Sequence, residues 1–574
     1  MTLQPGTRGN PEAKILIVGE AYGSAEESKQ QPFVGASGQE LEKMLTEAGI
    51  SPADCYFTNV VNARPQGNDM TKFFIPTKEA KDAKLPTFRG LYPLPIVISG
   101  MENLEALIGK LQPQLIIALG NYALWALTEA NFRIGNSQDT ARRSFKVPTG
   151  IASYRGSQLF STHGIPLLPT LHPTYVLRSW EERNLVVHDL RSRAKRFIQG
   201  QTSWAEPPRN YIVAPTFDQC MEVIQNLALR AELSPVPILL SVDIETQNRF
   251  LECVGLAWSK HDAICIPIMC ADKWDGYWTK EEEIEIIWQL GKLLEHPRVA
   301  PVGQNFFYDY QYFFLFGRMR PRWRHDTMLA HNVIFPGTPA DLNHISSLYC
   351  DWHSYWKDEG KESAGGVNDL QRWFYNCRDV VVTYEAMTEL WEVIKYYHLE
   401  EQYSIQMVRA QAILKPMLRG VLVDKKKRAD EQLIQIETVS EMEARLEASM
   451  PESVWQTPKG ATAWYRSAQQ LAQIFYTELG LDEVRDRKTR RPTTNNDALD
   501  KIGKKYPILR GLTELLQQYR TMEAFQQFLE MKLGPDGRMR CSFSPTTETF
   551  RYRSSEDAFG SGRNLMNLPK GKEE

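Results

Sequence analysis

The chain has 574 residues, of which 42% are hydrophobic and 24% charged, with a formal charge of -3. That is the balance of an ordinary folded protein, and the length implies roughly three or four domains, because single cores stop growing at about 250–300 residues. No apolar run approaches the about 18 residues needed to span a bilayer, and the start, MTLQPGTRGNPEAK, has no apolar signal core. The expectation is therefore an intracellular, cytoplasmic protein with no membrane partner. Eight cysteines are scattered with no C-x-x-C, which argues against a disulfide framework and against structural zinc. The small net charge means that any nucleic-acid surface must concentrate its positive charge locally.

In chain order, short apolar strands such as Lys14–Gly19 and Gln114–Gly120 alternate with helical stretches up to about residue 200, the pattern of an α/β unit with a mostly parallel sheet. The polar stretch Gln199–Pro208 reads as a linker. A second α/β unit opens with the strand Ile238–Ile244 and runs to about residue 400, after which Lys425–Ala448 and Ala498–Met531 read as charged helices. There is no internal repeat. The expected fold class is α/β multidomain, with domains at 1–205, 206–400 and 401–574.

The first domain carries Gly19-Glu20-Ala21-Tyr22-Gly23, Gln31–Gln39, Tyr56–Pro65 and Leu168–Arg178. This set resembles the uracil-DNA glycosylase superfamily, especially its family 4 branch, over about residues 12 to 200. The resemblance implies a three-layer α/β/α domain. It also implies that Phe33 stacks on a flipped base and that Asn59 reads its Watson–Crick edge. His172 would donate to O2 as charge develops on the leaving uracil. Glu20 would position water, and Tyr175 and Leu177 would wedge into the vacated base stack. Family 4 enzymes hold an iron–sulfur cluster on four cysteines, one at the position of Ala63. This domain has only Cys55, so no cluster is expected. Tyr22 also replaces the usual proline. The competing reading is a module that senses bases without excising them.

In the second domain, Asp243-Ile244-Glu245 ends an apolar strand. Side chains alternate along a strand, so both carboxylates point one way. Two adjacent carboxylates repel unless a cation sits between them, and hard ions such as Mg²⁺ or Mn²⁺ suit them. Asn305 and Asp309, then Tyr375 and Asp379, repeat an i, i+4 spacing that predicts shared helical faces. The order D-x-E, N-x-x-x-D, Y-x-x-x-D resembles the proofreading exonucleases named for four acidic residues and a tyrosine, over about residues 210 to 395. His325–Ala330 and Phe335-Pro336-Gly337 resemble that family as it occurs in phage polymerases. The implied fold is RNase H-like. By that likeness Asp243, Glu245, Asp309 and Asp379 hold two metals about 3.5–4 Å apart, Tyr375 orients the attacking water and Asn305 contacts substrate. The implied partner is DNA, a single-stranded 3′ end or a primer-template.

The third domain is similar to the thumb and first palm strands of family A DNA polymerases. The likeness runs from Met417–Asp424 through Leu516–Arg520 and Thr547–Ser555 to Arg563–Pro569. Arg551 and Arg563 fall in its substrate-binding region, although Phe550 replaces a usual glycine and Met566 a usual glutamine. The basic clusters Lys425–Arg428 and Arg487–Arg491 suit phosphate contacts. After Pro569 only Lys570–Glu574 follow, without the palm aspartates or fingers helix that nucleotidyl transfer needs. The expectation is a proofreading exonuclease of phage origin, acting in its host's cytoplasm, that polymerises only with a second polypeptide; a truncated piece of a longer polymerase and a gene interrupted by an intein or frameshift are the other two explanations. The alternative is a non-catalytic DNA-binding or assembly subunit of a split polymerase.

Overall fold

A computed structural model describes residues 5–76, 87–128, 150–271, 273, 275–358, 368–450, 462–486, 489–560 and 562–567. Arg487 and Lys488 of the second basic cluster, and Leu568-Pro569 with the five residues after them, lie outside the described residues. Two compact units form, Met1–Met407 and Val408–Glu574.

The first unit contains two six-stranded sheets. Strands β1 (Arg8–Gly9), β2 (Ile15–Ala21), β3 (Cys55–Val61), β6 (Leu115–Leu119), β7 (Leu159–Phe160) and β8 (Pro166–Thr170) build the first, in the order β1-β3-β2-β6-β8-β7. The small hairpin β4 (Phe74–Pro76) and β5 (Leu91–Pro93) stands apart from it. The four central strands are parallel, and β1 and β7 are antiparallel edges. Ile15, Leu16, Ile17 and Val18 are all buried, as expected of a parallel strand covered on both faces. The step from β2 to β3 crosses the sheet one way and the step from β3 to β6 the other. Right-handed crossovers then place the helices Ala36–Ala48 and Pro95–Leu111 on opposite faces, giving three layers.

The second sheet comprises β9 (Asn210–Ile212), β10 (Ile238–Gln247), β11 (Phe250–Ala257), β12 (Asp262–Pro267), β13 (Val299–Gly303) and β14 (His325–Asp326), ordered β14-β13-β10-β11-β12-β9. The long helix Asp369–Tyr396 lies across β10, β11 and β12. Its Trp373, Cys377, Val380 and Val381 pack on Cys253, Ala257, Ala263 and Cys265 of the strands. Gly255 permits this close approach, because a Cβ there would strike the Asn376 side chain. The cysteines of this region act as small buried apolar groups.

The expected linker is not a free tether. Trp204 is buried, donates through Nε1 to the Leu159 carbonyl at 2.6 Å and meets Phe197 with ring centroids 4.9 Å apart. Nearby, Asp189 accepts both Arg155, in a buried ion pair, and the Thr170 hydroxyl. Arg155 also reaches Ser347 Oγ at 2.8 Å. Arg193 donates to the carbonyls of Ser347, Cys350 and Asp351 at 3.2, 2.8 and 2.5 Å, at the C-terminal end of the helix Leu342–Tyr349. A guanidinium there satisfies otherwise orphaned carbonyls and meets the negative end of the helix dipole. The two sheets are thus joined through buried, hydrogen-bonded charge.

The second unit packs the helices Lys425–Ala448, Asn496–Lys505 and Arg510–Leu529 around Trp464, Phe475, Leu499, Leu516 and Tyr519. Two short antiparallel pairs accompany them: β15 (Val421–Leu422) with β16 (Arg538–Met539), and β17 (Ser542–Ser544) with β18 (Arg553–Ser555). Phe550 has φ 56°, a left-handed conformation that glycine adopts at least cost.

Candidate functional sites

The first site is a cavity of about 580 Å³ at the carboxyl ends of β2 and β3 and the loop after β8. Its size suits a small organic ligand. Glu20, Phe33, Asn59 and His172 line it together. Gly19 makes room, since a Cβ there would strike both Asn59 Oδ1 and the Phe33 ring. Phe33 has φ 56° and its ring centroid lies 6.3 Å from that of His172. The Asn59 carboxamide makes no hydrogen bond to any described residue. His172 caps the short helix Pro173–Val176, its Nδ1 accepting the Thr174 amide at 3.2 Å. That bond fixes the tautomer, leaving the proton on Nε2. Burial, with Arg178 nearby, pushes the ring down to about 4, so it is neutral at physiological pH. Burial pushes Glu20 up to about 7, against the Tyr122 and Asn121 amides, Arg89 and Arg178. Tyr22 also lines the cavity, with a buried hydroxyl that has no hydrogen-bond partner among the described residues. Tyr175, which also lines the cavity, and its neighbour Leu177 stand 43% and 44% exposed.

The second site lies on the C-terminal half of β10, which runs on past Glu245 to Gln247. Carboxylate oxygens of Asp243, Glu245 and Asp379 come within 4.8 Å of one another. Burial raises Asp243 to about 7, helped by Asp379 and opposed by Lys357 and Asn376. Burial, Asp243 and Asp379 together hold Glu245 well above its usual range. Asn376 Nδ2 donates to Asp243 Oδ2 at 3.0 Å. Asp379 accepts Trp356 Nε1 at 2.5 Å and Lys357 Nζ at 2.6 Å, and the same ammonium lies 3.0 Å from the Tyr375 hydroxyl. Three desolvated carboxylates this close fit a hard divalent cation with oxygen ligands.

Of the residues expected at this site, Asp243, Glu245, Tyr375 and Asp379 come together. Asp309 stands outside the three-carboxylate group, accepting the Ile244 amide through Oδ1 at 3.0 Å. Burial and Asp243 raise it well above its usual value. The expected helical face of Asn305 and Asp309 does not form. The helix begins at Phe307, and Asn305 is an exposed turn residue with φ 57°. The buried Asp326 carboxylate causes this by accepting the amides of Asn305 and Phe306 at 3.4 and 2.9 Å. Asparagine tolerates the left-handed region better than most residues. Trp356 and Lys357 were missed, since neither falls in a periodic pattern or a spaced motif.

Arg551 and Arg563 belong to the second unit and are exposed there, Arg563 donating to Gln527 Oε1. In the first basic cluster Lys425, Lys426 and Lys427 are exposed. Arg428 instead binds the carbonyls of Leu529 and Met531 at 2.5 and 2.6 Å, so its charge serves the fold.

Residues 7–191 match the uracil-DNA glycosylase superfamily. The type-4 uracil-DNA glycosylase of Thermotoga maritima is 32% identical over 193 residues, covering 33% of this chain and 81% of that protein. The chain belongs to the uracil-DNA glycosylase superfamily. Beside this glycosylase domain, residues 218–395 match a 3′-5′ exonuclease family, so the chain carries a family A polymerase-type exonuclease domain as well. The DNA polymerase of Bacillus phage SP01 is 23% identical over 640 aligned positions, covering 96% of this chain but only 62% of the phage protein's length. A solved structure, the POL domain of Pol1 from M. smegmatis in complex with DNA primer-template and dNTP, matches at 17% identity. It covers 64% of this chain and 57% of that one, with a TM-score of 0.44. No described helix is long and apolar enough to cross a membrane.

The iron–sulfur cluster implied by the family 4 resemblance does not fit the glycosylase domain. Its one cysteine, Cys55, is buried at the start of β3 and donates to the Ser51 carbonyl at 3.6 Å. Burial pushes that thiol up to about 12, the reverse of what a thiolate ligand requires.

Proposed function

We propose that the carboxylate site hydrolyses 3′-terminal phosphodiesters of DNA, releasing nucleotides one at a time as a proofreading exonuclease does. The observation that carries this reading is the convergence of Asp243, Glu245 and Asp379, from a strand and a distant helix, to within 4.8 Å of one another. Two divalent ions, Mg²⁺ or Mn²⁺, would be held by these groups with Asp309 beside them. When bound, such ions supply charge neutralisation and an acidified water. Asn376 fixes the Asp243 carboxylate, and Tyr375 orients the attacking water. A 3′-labelled primer incubated with Mg²⁺ tests this: Asp243→Ala with Glu245→Ala should abolish digestion, and persistent digestion overturns the assignment of these ligands.

In the glycosylase domain we assign base recognition to Phe33 and Asn59, and leaving-group stabilisation to His172. A neutral imidazole with its proton on Nε2 is a donor suited to oxygen that gains negative charge. Glu20, raised to about 7, holds a water near the sugar. Base sensing without excision is the second reading, favoured by the misfit of the iron–sulfur cluster. Residues 401–574 would be a polymerase thumb and the beginning of its palm, with the catalytic palm and fingers on a second polypeptide, and Arg551 and Arg563 would contact primer-template there. The partners are a DNA 3′ end and duplex.

A further inference from the structure

The segment Asp351–Asp358 belongs to the exonuclease domain but is fastened by the glycosylase domain. The Gln158 amide donates to the His353 carbonyl at 2.7 Å, and the His353 amide donates back to Gln158 Oε1 at 3.2 Å. The Tyr355 amide donates to Ser157 Oγ at 3.2 Å, and the Tyr355 ring lies 4.5 Å from that of Tyr154. Ser157 and Gln158 are 0% and 4% exposed, so these bonds are shielded from water.

Immediately beyond this anchor the chain delivers two side chains to the carboxylate site. Trp356 is 2% exposed and places its indole N–H on one oxygen of Asp379, while Lys357 places its ammonium on the other. The ammonium also lies over the Trp356 and Tyr375 rings, 5.2 and 5.1 Å from their centroids. An ammonium can only donate, so at the Tyr375 hydroxyl the oxygen is the acceptor. The phenolic hydrogen is left to donate, with the Asp379 carboxylate within its hydrogen-bond reach.

We propose that the glycosylase domain is a working part of the exonuclease. In this view Ser157 and Gln158 hold Asp351–Asp358 as a strap, and the strap positions Lys357 and Trp356 on Asp379 and Tyr375. The proposal rests on the exonuclease reading above. It makes Lys357 a positioning residue. A carboxylate held by two fixed donors keeps one rotamer, and small misplacements at a reacting centre cost large factors in rate.

The test uses the full chain, a labelled primer and Mg²⁺, under single-turnover conditions. Lys357→Met should lower the rate by about 10- to 100-fold with little change in the DNA concentration at half-maximal rate, and Lys357→Arg should recover part of it. Ser157→Ala with Gln158→Ala, at side chains that make no hydrogen bond to Asp243, Glu245 or Asp379, should slow the reaction about tenfold and should add nothing to Lys357→Met. Trp356→Phe keeps an aromatic ring, removes the N–H and should also slow the reaction, which guards against the anchor variant failing to fold. An anchor variant that folds and digests at the wild-type rate overturns the proposal, as do losses that multiply when combined. Wild-type rates in both Lys357→Met and Trp356→Phe overturn it too. A wild-type chain without activity, or an active Asp243→Ala with Glu245→Ala chain, sinks the exonuclease reading itself and is recognised before any strap variant is made.

Discussion

His172 and Asp243 are perturbed in opposite directions by the same cause, loss of water around an ionisable group. For His172 the neutral form is favoured, and its chemistry needs only a donor on Nε2. Replacing His172 with alanine should therefore lower uracil release from uracil-containing DNA by about 10²- to 10³-fold, the usual cost of one leaving-group donor. Unchanged release would assign the cavity to base sensing. For Asp243, raised to about 7, protons compete with metal. Mg²⁺ should therefore bind weakly at pH 5 and gain strength until about pH 8, where the carboxylate is ionised without help. Calorimetric titration of the full chain across that range checks this, and equal affinity at pH 5 and 8 would contradict it. These shifts were not legible in the sequence. A D-x-E at a strand end gives the direction of two side chains, but burial depends on what the helix Asp369–Tyr396 lays over them.

At the scale of elements, the contacts between that helix and β10 to β12 hold the site together. Gly255→Ala should push the helix outward through Asn376, lowering stability by about 1–3 kcal/mol, and it should slow primer digestion because Asn376 fixes Asp243. Denaturant unfolding and the primer assay read the two effects. The helix Leu342–Tyr349 depends in the same way on Arg193, which satisfies three carbonyls at its end. Arg193→Ala leaves the buried Ser347 and Cys350 carbonyls without this donor and should cost about 1–3 kcal/mol, seen as a lower melting temperature. Periodicity located the strand β10 and the shared helical face of Tyr375 and Asp379, though not the helix Leu342–Tyr349. It failed at Asn305, where an Asp326 carboxylate, distant in sequence, turned an expected helical residue into a left-handed turn. It failed also at Trp204, because a tryptophan in a polar stretch gave no periodic signal, yet it buries its ring.

Across the whole first unit, His172, His188, His325, His331 and His344 are each pushed down to about 4, chiefly by burial. Their unfolded forms take up protons near 6.5, so the stability they confer is full above that pH and is lost as pH falls toward 4. Glu20 and Asp326, raised to about 7 and about 6, act in the opposite sense. With Mg²⁺ present to keep the carboxylate site ionised, the histidines should dominate. The melting temperature should then fall steadily from pH 6.5 to pH 4.5, and a flat profile would contradict this balance.

The sequence by itself determined the two α/β sheets, the carboxylates of β10 and the motifs that bring Glu20, Phe33, Asn59 and His172 to one cavity. The sheets and the β10 carboxylates follow from local periodicity and spaced residue types, whereas the cavity residues were legible only through their resemblance to a known family. Only the tertiary structure decided that Asp309 would bind a backbone amide, that Arg428 would cap carbonyls and that Trp356 and Lys357 would reach Asp379 from a segment fastened by Ser157 and Gln158. Those outcomes depend on long-range approach of buried polar groups, whose partners are set by packing and by the cost of leaving any of them unsatisfied.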